Sequence, residues 1–223
     1  MTVADHILRF YQTLTPPDGL PADVGVMNPY KDEEAWRVTT AFYQKYYSDT
    51  NERIILFGIN PGRFGGGITG VPFTDPIKME EDCSIPNAFD KRAELSSRFV
   101  YEMIDAYGGP KAFYSKFYIS ALSPLGFVRD GKNLNYYDIE GWKPLFEHYA
   151  LDRIREQLPF PCSRQIAFSI GQGQNLKFLQ ELNKKHGLFD AIETVPHPRW
   201  VMQYRTKRKE EFIQQYVERL GQA

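Results

Sequence analysis

Cysteine is nearly absent from this chain: Cys83 and Cys162 are the only two among 223 residues. Neither has a Cys or His partner at metal-ligand spacing, so the sequence excludes both a disulfide framework and a zinc-finger type of site. Such sparing use of cysteine suits a reducing compartment, and the expectation is a cytoplasmic protein. A surplus of one charge is also missing, because 27 Lys and Arg face 28 Asp and Glu, giving a net charge of -1. A case for a polyanionic partner must therefore rest on local clusters. No uninterrupted apolar run approaches the ~20 residues that span a bilayer. The first residues, with Asp5 and an early amphipathic pattern, lack the basic-then-apolar layout of a signal peptide. Neither secretion nor membrane insertion is expected. Repeats, low-complexity tracts and linkers are absent too, so residues 1–223 read as one domain, with no partner surface that calls for more than a monomer.

What is present is an alternation of apolar strands and amphipathic helices. Ile7, Leu8, Tyr11 and Leu14 sit at helical spacing before the breaker Pro16-Pro17-Asp18-Gly19, and residues 33–47 read as a second helix. Arg53 to Gly58 is a buried strand. Leu95, Phe99, Val100, Met103 and Ile104 mark a helix stopped by Gly108-Gly109-Pro110. Phe117–Ala121 is the next strand, followed by a long turn-rich loop through Pro124, Gly126 and Gly131. A helix over 141–157, a strand over 165–170, a helix to His186, a strand over 191–195 and a closing helix over 206–220 complete the pattern. This rhythm predicts a three-layer α/β/α sandwich on a mostly parallel four-stranded sheet with right-handed crossovers. Asn60, Ser120, Gly171 and His197 then fall at the carboxyl ends of their strands and share one edge, where open α/β sheets place their sites.

The most informative stretch is the glycine-rich loop from Gly58 to Phe73, which follows Ile54-Ile55-Leu56-Phe57. Its small residues let backbone approach a ligand, while Asn60, Phe64 and Phe73 offer an amide and flat aromatic surface. It reads as the wall of a pocket for a planar polar ligand. Asn60 either starts a turn before Pro61 or uses its donor and acceptor to place a water or a ligand edge. His197 lies between Pro196 and Pro198, which stiffen its backbone at a loop tip that offers little core to join. His6, His148 and His186 sit in helical patterns without such context. From Thr194 to Lys209 there is no Asp or Glu, whereas Arg199, Arg205, Lys207, Arg208 and Lys209 interleave with Trp200 and Tyr204. Such a run is either a solvated helix face or a phosphate-contacting edge beside His197.

Other motifs fail. The glycine loop lacks the Gly-Lys-Ser/Thr ending of a phosphate loop. Gly171-Gln172-Gly173-Gln174-Asn175-Leu176 opens like a dinucleotide fingerprint but has Leu where the third small residue belongs. Glu80-Glu81-Asp82 reads as a solvated turn, and neither a metal nor an organic cofactor is expected.

With these residues assembled, the chain resembles the uracil-DNA glycosylase superfamily, and within it the single-strand-selective monofunctional family. The likeness runs from Met27-Asn28-Pro29-Tyr30, through Asn60-Pro61-Gly62 to Thr69-Gly70-Val71-Pro72-Phe73, to Ser123-Pro124-Leu125, Gly131-Lys132-Asn133-Leu134 and His197-Pro198. It implies a DNA partner and hydrolysis of an N-glycosidic bond in base excision repair. Asn60 would orient the attacking water or stabilise the sugar cation, and His197 would hydrogen-bond base O2 as charge develops there. Base contacts are implied for Gly58, Ile59, Gly62, Phe64, Phe73, Ser120, Ala121 and Ser123, with Phe73 stacking and Gly62 leaving room beside C5. Arg63, Pro198, Arg199, Trp200, Arg205, Lys207 and Arg208 would meet DNA. No Lys stands in these loops to form a Schiff base, so a glycosylase without lyase activity is expected.

Two departures carry weight. Ala121 replaces the Asn with which the family reads the Watson–Crick edge, so either backbone with Ser120 or Ser123 takes over, or selectivity extends to xanthine and hypoxanthine. The His197-Pro198-Arg199-Trp200 loop departs from the family pattern, leaving Arg199, Met202, Gln203 and Tyr204 as candidates for the residue that fills the vacated stack. The competing reading is a non-catalytic binder of damaged nucleic acid or nucleotides on the same fold. A third, an unrelated nucleotide-dependent enzyme, would rest on the broken fingerprint at Gly171.

Overall fold

The computed structural model describes residues 1–223. The chain runs α1 (Val3–Gln12), β1 (Gly25–Met27), α2 (Glu33–Tyr47), β2 (Arg53–Gly58), α3 (Gly66–Thr69) and α4 (Pro76–Glu81). It continues with α5 (Leu95–Tyr107), α6 (Pro110–Tyr114), β3 (Phe117–Ala121), β4 (Gly126–Arg129), β5 (Lys132–Leu134) and α7 (Trp142–Gln157). The last elements are β6 (Cys162–Ile170), α8 (Gln174–His186), β7 (Ala191–Val195), α9 (Pro198–Tyr204) and α10 (Lys209–Gly221).

Helix ends follow local chemistry. Thr2 and Asp5 form a reciprocal capping box at α1, and the Asp32 side chain accepts the Ala35 N–H at the start of α2. The central sheet has the order β3-β2-β6-β7, and all three pairings are parallel. Gly58 pairs with Ala121 and Ile170 with Val195, so every strand ends at one edge and the loops bearing Asn60, Gly171 and His197 leave it together. Helices flank this sheet, as the βαβ rhythm requires. No helix is long and apolar enough to cross a membrane.

Four sequence expectations change. The segment after Pro124 is not a loop: β4 and β5 form a hairpin, and β1 adds to β4 to make a second, antiparallel sheet of order β1-β4-β5. The strand expected from Gln165 begins at Cys162, with a register shift against β2 between Arg53 and Ile55. The closing helix is preceded by α9, with Pro198 in its first turn and His197 as its N-cap. The acidic Glu80-Glu81-Asp82 patch is the end of α4, where Asp82 pairs with Lys78 and Glu80 with Lys91.

Candidate active site

At the carboxyl edge of the central sheet lies a cavity of about 350 Å³ whose wall includes Gly58, Asn60, Phe73, Ala121 and His197. Asn60 sits two residues beyond β2. Its Nδ2 donates to Leu134 O at 3.0 Å and its Oδ1 accepts the Tyr136 N–H at 2.9 Å. These bonds fix which end of the amide points where; Nδ2 also lies 3.4 Å from Pro61 O, so the oxygen's second lone pair is the site left for a ligand or water. Tyr136 is held in turn, because its hydroxyl donates to Asn175 Oδ1 at 3.1 Å. Asn175 Nδ2 reaches the carbonyls of Phe57 and Gly58, so the failed dinucleotide fingerprint supplies a brace for the end of β2.

Phe73 has φ 53, a left-handed conformation unusual for a bulky residue. That backbone turns its ring toward His197, 6.1 Å away between centroids and tilted by 59°. The other edge of the ring lies over Gly58, where a Cβ would come within 3.2 Å of Phe73 Cε2. A held outlier of this kind at a cavity wall points to a functional ring.

His197 is placed by both of its neighbours. The Tyr216 hydroxyl donates to Pro196 O, and His197 Nδ1 accepts the Arg199 N–H at 3.2 Å. An accepting Nδ1 leaves the ring proton on Nε2, which makes that atom a donor. Burial and then the Arg199 charge push the imidazole down to about 4, so it is neutral at pH 7. Gly171, at φ 115, packs against it, and a Cβ there would lie 3.5 Å from the ring.

The remaining expected residues divide. Ile59, Gly62 and Ala121 line the cavity, as do Arg199 and Trp200. Ser120 also lines it, but its hydroxyl donates to Gln157 Oε1 at 2.6 Å. Ser123 is fully buried off the wall and donates to Leu125 O, so the expected base contact from Ser123 is withdrawn. Phe64 faces an adjoining cleft with Arg63 and Lys132, and the guanidinium groups of Arg63 and Arg92 lie 4.5 Å and 5.6 Å from its ring centre. Pro198 is buried, and Arg205 lies 4.9 Å over the Trp200 ring. Arg208 pairs with Glu211 at 2.7 Å on an exposed face, beside the exposed Lys207. Of the candidate wedge residues Met202 is buried, and Gln203 and Tyr204 stand on the cavity wall.

Sequence reasoning missed Glu94, Tyr11, Tyr30 and Tyr137, all on this wall. Glu94 is the N-cap of α5, yet its side chain does not cap that helix. Burial and the nearby Asp75 charge push its carboxyl up to about 7, against the opposing pull of Arg199. Tyr11 and Tyr30 stack at 4.4 Å, and the Tyr43 and Tyr118 hydroxyls both donate to that of Tyr11.

A family model described as the uracil DNA glycosylase superfamily matches residues 44–221. Among solved structures, wild-type SMUG2 from Pedobacter heparinus is 40% identical with a TM-score of 0.96, covering 99% of this chain and 97% of that one. No curated protein matches.

Proposed function

The chain belongs to the uracil DNA glycosylase superfamily and is a DNA glycosylase, and we propose that Asn60, Phe73 and His197 together remove uracil, a 5-substituted uracil or a related deaminated base. The substrate base leaves as an anion, which calls for a preorganised donor in a water-poor pocket. The neutral His197, with Nε2–H turned outward by its own N-cap bond, is that donor and meets base O2. The Phe73 ring is the stacking surface, and the clamped amide of Asn60 holds the water that attacks the sugar carbon C1′. Extruding the base costs a few kcal/mol in duplex DNA and less in a single strand. The observation that carries this reading is the joint presence of a fixed amide and a fixed imidazole tautomer on one cavity wall, which simple binding does not require.

Selectivity follows from Ala121. With the hydroxyls of Ser120 and Ser123 committed elsewhere, the base edge beside Ala121 meets a methyl group and backbone. That supports looser discrimination, and we include xanthine and hypoxanthine among the substrates. Arg199 and the Arg63 cleft, with Arg205 over the exposed Trp200, form the backbone-contacting rim. The one cluster of 55 buried apolar residues, reaching from Val3 to Leu220, supports treating 1–223 as a single domain.

The test is strand cleavage by alkali after incubation with single- and double-stranded oligonucleotides that each carry one uracil, 5-hydroxymethyluracil, xanthine or hypoxanthine. Cleavage that disappears in Asn60→Ala supports the mechanism, and the ranking of bases reads out Ala121. Intact strands throughout, despite measurable DNA binding, would support the non-catalytic binder instead.

A further inference from the structure

Hydrolysis consumes a water and releases a proton from it, and neither Asn60 nor His197 can take that proton. An amide is not a base, and both ends of the Asn60 amide already engage backbone. The His197 Nδ1 is occupied by the Arg199 N–H, and its Nε2 already carries a hydrogen. The other polar side chains of the wall are amides, phenols, hydroxyls, the Trp200 indole and the guanidinium of Arg199, with one exception. That exception is Glu94.

The position of Glu94 is built. Its backbone N–H donates to Asp75 Oδ2 at 2.8 Å, which fixes the start of α5. The side chain turns away from the helix it caps and lies over the catalytic loop. A Cβ added at Gly62 would come within 2.7 Å of Glu94 Oε1, and one added at Gly65 would collide with Oε2. Two glycines of the loop therefore leave the space that this carboxyl fills, and Gly62 is only two residues beyond Asn60. The carboxyl accepts no hydrogen bond from the protein, and burial with the charges of Asp75 and Arg199 sets its titration. A partly buried carboxyl without a donor, on the wall of a reaction cavity, is a group kept for a ligand.

We propose that Glu94 is a catalytic residue, the general base that accepts a proton from the water held by Asn60. The inference rests on the glycosylase reading above. In the step, the water oxygen forms a bond to C1′ as the C1′–N bond breaks. The bonding pair leaves with the base, whose anion is met by His197 Nε2–H, and one water proton passes to the Glu94 carboxylate. The products are an abasic sugar bearing a hydroxyl group, the base anion and a protonated Glu94 that returns its proton to solvent or base. A base tuned near the working pH combines an adequate ionised fraction with the greatest basicity. The charged groups that face Glu94 are Asp75 at the start of α4 and Arg199 on α9, with Arg63 and Lys132 along the adjoining cleft.

The experiment is single-turnover excision of uracil from a single-stranded oligonucleotide between about pH 5 and pH 9, using wild type, Glu94→Gln, Glu94→Ala and Asn60→Ala. The wild-type rate is expected to climb through pH 7 and level off, following ionisation of Glu94. Glu94→Gln should lose of order 10²-fold at the plateau and show no such climb, with oligonucleotide affinity unchanged. Added formate should restore part of the rate in Glu94→Ala, a readout that a merely structural role would not give. A Glu94→Gln enzyme of near wild-type rate with the same climb would overturn the inference, as would a folded, DNA-binding Glu94→Ala that formate does not rescue. An inactive Asn60→Ala beside a fully active Glu94→Gln would sink this inference and leave the glycosylase mechanism standing. A wild type inactive on every base would sink the mechanism on which the inference rests.

Discussion

His197 Nδ1 accepts the backbone N–H of Arg199 at 3.2 Å, so the bond that starts α9 also decides which nitrogen of the imidazole carries the proton. One contact serves as helix cap and as tautomer lock, and it fixes Nε2 as a donor. His197→Ala should therefore lower kcat by of order 10²-fold or more, the cost of removing a preorganised donor to a developing anion. A rise confined to KM would reduce His197 to a binding role. The depressed pKa has a second consequence for stability. The folded imidazole protonates near 4 and the unfolded one near 6.5, so its contribution is present above 6.5 and lost as pH falls toward 4. Urea titrations of wild type and His197→Gln across that range should converge toward the acid end.

Asn60→Ala should abolish turnover while single-stranded DNA affinity stays within about threefold, since its amide faces inward rather than toward the DNA backbone. The same substitution strands Leu134 O and the Tyr136 N–H, both partners of the amide. A destabilisation of about 1–3 kcal/mol is expected from those lost bonds, measured by denaturant unfolding. Retained turnover in a folded Asn60→Ala protein would remove the mechanism.

Gly65→Ala and Gly67→Ala separate chemistry from folding. At Gly65 a new methyl meets the flexible end of Glu94, whereas at Gly67 it would come within 2.7 Å of the Gly62 carbonyl oxygen. Gly67→Ala should cost about 1–3 kcal/mol by overpacking against backbone. Gly65→Ala should leave the melting temperature within a few degrees and lower kcat, because Glu94 has to move. Equal thermal losses in the two variants would contradict this picture.

Glu94→Gln should be more stable than wild type at pH 8. Its folded carboxyl ionises near 7, above the ordinary value of 4.5, so the stability tied to its protonated form is complete below 4.5 and lost as pH rises through 7. Gln cannot ionise and escapes that loss. Melting curves of both proteins at pH 5 and pH 8 check the sign: the variant's advantage belongs at the higher pH.

Replacing Arg199 and Arg205 together by Ala should weaken binding to a uracil-free single strand and flatten its salt dependence. If each meets one phosphate, the slope of log K against log salt drops by about 1.4. A drop of only about 0.7 would mean that the stacking of Arg205 on Trp200 holds it away from DNA, and an unchanged slope that neither arginine meets a phosphate.

The parallel sheet was legible because each strand is a local run of apolar residues bounded by breakers, with an amphipathic helix between runs. The β1-β4-β5 sheet was not, because Gly25 pairs with Val128 across a hundred residues and three-residue strands carry no periodicity. Helix α9 was hidden for another reason. Its basic residues read as a solvated run, although Pro198 after a residue able to cap was the available signal. Asn60, Phe73 and His197 stood out through unusual neighbours in sequence. Glu94 had none, since an acid among Asp90-Lys91-Arg92-Ala93 looks like ordinary surface, and only folding sets it over Gly62 and Gly65. Ser123 erred in the opposite direction, because proximity in sequence to Ala121 says nothing of where its hydroxyl turns.

The two bonds that orient the Asn60 amide both end on main chain, at Leu134 O and Tyr136 N. Main-chain partners persist whatever side chain is attached, so a substitution at Leu134 leaves in place the carbonyl to which the amide donates. A single inserted or deleted residue in that hairpin would shift both partners at once. Evolution of this enzyme is thus permissive toward spelling and strict toward length at the segment that steadies its catalytic loop.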